Sequence, residues 1–241
     1  MCGSPGECMD KISRALHFEE PELLGLHPGA ALEVIASRSS VDGYKRYPID
    51  VNKFMKMALH FNFSWIKTTY LAMISRQSIL SVPDFCASVQ HSIANYLAEK
   101  LSCCLQYLND SNKIPSRNRL VFVSGGVASN KYILARFNNV CEPLGYSVYA
   151  PSQFYCCDNA EMIAWNGIQL LAKRQCVAFV NAALIFKTVS VITPDKIPTD
   201  IFVSSRCPIG VDISSNLRKY LGMPCETPAE AAERRNISLK S

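Results

Sequence analysis

A chain of 241 residues suffices for one large domain or two small ones, with a core that needs no disulfide or metal staple. Apolar residues make up 49% and charged residues 19%, which excludes disorder for the bulk of the chain. The balance of 25 Lys and Arg against 20 Asp and Glu leaves +5, far from a histone-like composition, and permits an anionic partner such as a nucleotide or RNA without requiring one.

From the N-terminus, Met9, Ile12 and Leu16 recur at helical spacing and predict a short helix over Cys8–Phe18. Leu23–Ala31 carries a proline and two glycines and reads as a loop feeding a second short helix through Ile35. Phe63–Ser75 reads as helical. Pro83 is placed to open a long helix, Pro83–Leu108, with Phe85, Val89, Ile93 and Leu97 on one face. A polar loop, Asn109–Asn118, follows. Arg119–Val123 is a short apolar, β-rich run broken by Ser124-Gly125-Gly126, after which helical periodicity resumes over Val127–Val140. The cycle repeats with Tyr146–Ala150 as strand, Pro151–Cys157 as loop and Asp158–Lys173 as helix. Two strand–loop–helix cycles predict an α/β layer with neighbouring parallel strands. Cys176–Thr193 is apolar and β-branched and fits no single element; Pro224–Ser241 is polar and reads as a peripheral helix or a frayed tail.

The 11 cysteines are odd in number and contain no Cys-x-x-Cys, so they read as small packing residues in a reducing compartment. The first residues, MCGSPGECMDK, resemble neither a secretory signal nor an Arg-rich transit peptide, and the apolar stretch Cys176–Phe186 is too short to span a bilayer. The expectation is a soluble intracellular chain.

Several positions carry chemistry in the pattern alone. In Ser124-Gly125-Gly126 the glycines let the backbone approach a ligand, and the helix start behind them offers free N–H groups to an anion. The segment lacks the Lys-Ser/Thr pair of a P-loop and the third glycine of a dinucleotide fingerprint, and by itself reads first as a plain turn. Asn130 either points at the same ligand or solvates the helix surface. Asp158-Asn-Ala-Glu161 is a capping box, or else places a carboxylate at the C-terminal edge of the sheet, where ligands of open α/β folds bind. Glu7 and Asp10 read as a solvated helix face. His17, His27, His60 and His91 have no metal-ligand spacing. Tyr44–Lys56 interleaves basic and aromatic residues, as an RNA-binding segment or an ordinary surface loop does.

Four segments occur in order: Gly6-Glu-Cys-Met-Asp10-Lys11, Phe61-Asn-Phe-Ser-Trp-Ile-Lys67-Thr68, Ser124-Gly-Gly-Val-Ala-Ser-Asn130 and Cys157-Asp-Asn-Ala-Glu-Met-Ile-Ala-Trp165. Together they resemble the TsaD/Gcp family of tRNA N6-adenosine threonylcarbamoyltransferases, from about Gly6 to Ser214, and Cys207-Pro-Ile-Gly-Val-Asp-Ile-Ser214 looks like the mitochondrial branch.

The resemblance implies a two-lobed, actin-like ATPase (ASKHA) architecture, here mostly the second lobe with the first lobe missing. Residues 1–174 would form that C-terminal lobe, and 175–241 an extension carrying the family-like 207–214 segment. The implied activity is transfer of threonylcarbamoyl from threonylcarbamoyl-AMP to N6 of the adenosine 3′ of the anticodon, in tRNAs reading codons that start with A. Asp10 and Gly29 would contact the ribose and base region of the adenylate. Gly125, Gly126 and Asn130 would line the same nucleotide site, and Asp158 would ligate one divalent metal, iron or zinc. The implied partners are tRNA and a second copy in a homodimer, with no membrane and no DNA, and the implied location is the mitochondrion. The family's His-x-x-x-His pair and Ser-Gly-Gly-His-Thr segment do not occur here. Pro28-Gly29-Ala30 stands for Gly-Gly-Pro, and Glu161 for a small or apolar residue. A C-terminal portion that needs the missing lobe for transfer is therefore expected. Its rivals are a non-catalytic truncated subunit that regulates a full-length copy, and an actin-like kinase or ATPase of other specificity.

Overall fold

The computed structural model describes residues 3–51, 61–156, 162, 164, 165, 168 and 213–223. Its contacts divide the chain into one unit of Met1–Cys157 with Ile213–Cys225 and another of Asp158–Asp212 with Glu226–Ser241. Of the second unit, Met162, Ala164, Trp165 and Ile168 are described, and all four are helical. The rest of the expected Asp158–Lys173 helix, the Cys176–Thr193 run and the Pro224–Ser241 tail lie outside the described residues.

The first unit is a mixed helix and sheet structure. Helix α1, Pro5–Leu16, starts where Ser4 Oγ accepts the Glu7 N–H at 3.1 Å and Pro5 fills the first turn. It ends at His17, which takes the left-handed conformation. Helix α2, Pro28–Ala36, takes up the last four residues of the expected loop. Pro28 needs no N–H partner in the first turn and His27 Nδ1 caps the Gly29 N–H, so the Pro-Gly pair opens a helix. Helix α3 spans Phe63–Ser75, with Asn62 as its cap. Helix α4, Val82–Asp110, runs 29 residues, about 44 Å, behind a Ser81 cap and Pro83. Helix α5, Lys131–Cys141, lies between strands β1, Leu120–Phe122, and β2, Ser147–Tyr149. The strands pair in parallel with Val121 opposite Val148, so β1–α5–β2 is the crossover unit that the strand–helix alternation implies. Helix α6, Ser214–Tyr220, returns to α4, where Tyr220 stacks edge-on against Tyr107.

Helix α4 is the spine. Phe85, Cys86, Val89, Ile93 and Ala94 are 0% exposed and pack with Ile12 of α1, Leu32 of α2, Ile66 and Tyr70 of α3, and Ile133 of α5. Each Phe, Val, Leu or Ile among them contributes about 1.5–3 kcal/mol on burial. The Tyr70 hydroxyl, wholly buried, donates within this core to the Ser88 carbonyl at 3.0 Å and shares a 2.7 Å bond with Ser92 Oγ. Near its N-terminus α4 also holds the loop that follows α2. Asp84 Oδ1 accepts the Ser40 N–H at 2.8 Å, Oδ2 meets Arg46 at 3.0 Å, and the Ser40 amide above all keeps the carboxyl below its ordinary range. Gly43 is required there, because a Cβ would sit 2.1 Å from Asp84 Oδ1. Burial pushes the Cys8 and Cys86 thiols up to about 12, and among the described residues Cys141 and Cys156 are also buried and free. No described helix is long and apolar enough to cross a membrane.

Candidate nucleotide site

The end of β1 leads into the Ser124-Gly125-Gly126 turn. Gly125 adopts φ +93°, which a side chain rarely tolerates, and no described atom lies within 4 Å of where a Cβ would stand on Gly125 or Gly126. The backbone is therefore open at this point. Gly126–Ser129 forms a single 3₁₀ turn, and α5 begins only at Lys131, four residues later than periodicity predicts. The delay follows from Asn130. Its backbone is extended, and its Oδ1 accepts the Ile133 N–H at 3.0 Å as the N-cap of α5.

Three helices converge on this turn. Gly6 of α1 lies against Val127, with a Cβ position 3.5 Å from Val127 Cγ2, and Asp10 follows one helical turn later on the same face. Glu33 of α2 accepts the Lys131 N–H through Oε1 at 2.8 Å. Gln90 of α4 donates from Nε2 to Asn130 Oδ1 at 2.8 Å. Gly29 stands one turn before Glu33 at the head of α2, with its N–H bonded to His27, so it joins the group through α2 and not through a contact of its own.

Two polar atoms in this neighbourhood are buried without a partner among the described residues: Asp10 Oδ1 and Asn130 Nδ2. Asp10 Oδ2 is held by Arg14 Nε at 2.9 Å, which fixes the carboxylate and leaves the other oxygen to accept. Asn130 is 4% exposed, and both bonds to its oxygen come from donors, which leaves the amide nitrogen to donate. A buried polar atom without a partner costs about 1–3 kcal/mol, so a pair of them beside an open glycine turn points to a ligand. The two atoms suit a molecule that offers both hydroxyl donors and acceptor oxygens. Beside Asp10, Glu7 takes Lys11 at 2.7 Å and Lys67 of α3 at 3.2 Å, and these two ammonium groups hold its carboxyl down to about 2. Glu7 is thus engaged in tying α1 to α3.

Gln90 and Glu33 carry no motif, and the sequence reading passed over both. Gln90 had one signal: Cys86, Ile93 and Ala94 surround it at helical spacing, and a polar residue in an apolar stripe demands a partner. Asp158 lies outside the described residues. Among those residues no three His, Cys, Asp or Glu side chains converge to hold a metal ion.

The family described as TsaD, tRNA N6-adenosine threonylcarbamoyltransferase, matches residues 3–165, which include every element of this neighbourhood. A Caenorhabditis elegans protein named probable mitochondrial tRNA N6-adenosine threonylcarbamoyltransferase is 35% identical over 220 residues, 89% of this chain and 48% of the relative. The mitochondrial tRNA N6-adenosine threonylcarbamoyltransferase of Mus musculus is 30% identical, over 88% of this chain and 49% of its own length. The Homo sapiens counterpart is 26% identical, over 89% and 50%. The chain thus spans about half the length of the relatives it matches. With more than half of its residues under that family description and the glycine turn, Asp10 and Asn130 all inside it, the chain belongs to the TsaD family of tRNA N6-adenosine threonylcarbamoyltransferases.

Proposed function

We propose that the chain supplies the adenylate-holding part of a threonylcarbamoyl transfer to tRNA, in mitochondria. The observation that carries this reading is the pair of buried, unpartnered atoms, Asp10 Oδ1 on the helix whose Gly6 lies against Val127 and Asn130 Nδ2 at the head of α5. Ribose hydroxyls of threonylcarbamoyl-AMP donate to Asp10, Asn130 donates to an oxygen of the adenylate, and Gly125 and Gly126 let the backbone come close without adding negative charge beside the phosphate. The N6 amine of the adenosine 3′ of the anticodon attacks the carbamoyl carbon, the bond to the phosphate oxygen breaks, and AMP leaves with that electron pair as N6 gives up a proton. What these residues contribute is a fixed donor in the right place. In this reading the first unit is the second lobe of an actin-like fold, and two copies pair. The family's divalent metal has no complete ligand set among the described residues, and Asp158 is the carboxylate we assign to it.

Isothermal titration with AMP tests the binding step: the chain binds it, and Asp10→Ala weakens binding about ten-fold with little change in melting temperature. Formation of threonylcarbamoyladenosine, followed by mass spectrometry of digested tRNA, appears only when the chain is joined to the remaining half of the nematode relative. Absence of AMP binding sinks the proposal. Asp158→Asn in the joined protein separates cap from ligand. An amide caps as well as a carboxylate, so stability stays within about 1 kcal/mol while bound metal falls. Unchanged metal content returns Asp158 to a capping role.

A further inference from the structure

We propose that Gln90 is a positioning residue for the site: it locks the Asn130 amide in the orientation that presents Nδ2 to the adenylate. The inference rests on the adenylate reading above and goes beyond it, since it places the control of a ligand contact on α4.

The argument is one of donor and acceptor identity. The Ile133 N–H can only donate, so the atom of Asn130 facing it must be the oxygen. Gln90 Nε2 reaches that same oxygen at 2.8 Å, from a side chain that is 4% exposed and 40 residues away in the chain. Turning the Gln90 amide over would set oxygen against oxygen. Turning both amides over would restore their mutual bond but set Asn130 Nδ2 against the Ile133 N–H, donor against donor. A single combination satisfies every contact, and in it Asn130 Nδ2 is the atom left buried and unpaired. The capping bond alone holds Asn130 by one hydrogen bond at a helix start. The second bond, delivered from the spine of the core between Val89 and Ile93, makes the amide rigid.

The test exploits a protonation-dependent substitute. In Gln90→Glu the ionised side chain accepts and cannot donate, so it turns the Asn130 amide and captures Nδ2. AMP affinity then falls about ten-fold at pH 8. A carboxyl at so buried a position titrates above its ordinary range, and the Glu33 carboxylate on the neighbouring Lys131 N–H adds to that rise. As the pH falls towards 5.5 it regains a hydrogen, donates to Asn130 Oδ1 as glutamine does, and the affinity relative to wild type measured at the same pH recovers. A merely structural loss shows no such recovery. Gln90→Met, which supplies neither donor nor acceptor, weakens AMP binding about three-fold at every pH, and serves if the glutamate variant does not fold. In an Asn130→Ala background both Gln90 substitutions leave AMP affinity unchanged.

AMP binding that Asn130→Ala weakens and neither Gln90 substitution affects overturns the proposal, as does a Gln90 effect that persists in the Asn130→Ala background. If the wild-type chain does not bind AMP, the adenylate reading has failed instead. The Asn130 side-chain amide resonance then decides the positioning role alone: a reversible, pH-dependent shift in Gln90→Glu supports the lock, and an unmoved resonance overturns it.

Discussion

Two neighbouring residues of α4, Gln90 and His91, both reach the start of α5 and end in opposite conditions. On the His91 side, Arg136 Nε donates to Asn95 Oδ1 at 2.6 Å, which leaves Asn95 Nδ2 to donate to His91 Nε2 at 2.7 Å. The ring must then carry its proton on Nδ1, and it donates to Tyr132 Oη at 2.6 Å. Each acceptor in this relay meets a donor, and Tyr44 packs over the imidazole at 4.3 Å between ring centres. On the Gln90 side the relay stops at Asn130, whose amide nitrogen has no partner among the described residues. The two contacts join the same pair of helices one residue apart. The saturated one has each acceptor met by a donor and acts as a lock. The unsaturated one costs stability in the free chain and repays it when an acceptor arrives.

Asn130→Asp gives the largest expected effect and tests the contrast most directly. Aspartate keeps the capping oxygen of α5, but it sets a carboxylate oxygen where the unpaired donor stood, so the melting temperature falls through the buried charge as well. AMP affinity, measured by titration calorimetry, falls by about ten- to a hundred-fold, and retention of wild-type affinity means that this donor faces no ligand. Asn95→Leu works on the saturated side. It strips partners from both His91 and Arg136, and chemical denaturation shows a loss of about 1–2 kcal/mol while AMP affinity is unchanged. A parallel loss of AMP binding would show that the two contacts are one device.

The smallest effect is titration of the lock. Burial, and after it the charge of Arg136, hold His91 below the ordinary histidine value. The unfolded chain therefore takes up this proton first as the pH falls, so the His91 contribution is whole above about pH 6.5 and is lost as the pH drops through the folded value. Melting curves from pH 7.5 to 5.0 show a small fall that His91→Gln removes. An identical pH profile in that variant means that another group carries the fall.

Much of the frame was legible in local pattern. Phe63–Ser75 emerges with the ends that periodicity gives it, and Pro83 lies in the first turn of α4 because a proline there needs no N–H partner. The parallel pairing of β1 and β2 follows from the helix between them. The head of α5 was not legible, because Val127–Ser129 has helical composition while the left-handed Gly125 and the capping Asn130 force a 3₁₀ turn first. The start of α2 was misjudged for a related reason: Pro28-Gly29 breaks a helix from within but opens one from its first turn. Of the site, the Gly125-Gly126 turn stood out as a pattern, whereas Asp10 read as a solvated helix face and entered only through the family resemblance. The alternative of a surface-solvating Asn130 is removed by its 4% exposure. That burial, and the roles of Gln90 and Glu33, depend on contacts between segments tens of residues apart, which no local window contains.

The inert thiols give the chain internal clocks. Cys8 sits in α1, Cys86 near the start of α4 and Cys141 at the end of α5, each 2% exposed or less. With the first two held at about 12 by burial, hardly any thiolate exists at neutral pH, and an alkylating reagent can reach these sulfurs only when the surrounding helix opens. Iodoacetamide labelling, read peptide by peptide in a mass spectrometer, therefore times the opening of α1, α4 and α5 separately, with no engineered probe. Bound nucleotide should slow the α1 clock more than the Cys86 clock, since Asp10 lies two residues from Cys8 whereas Cys86 faces the core.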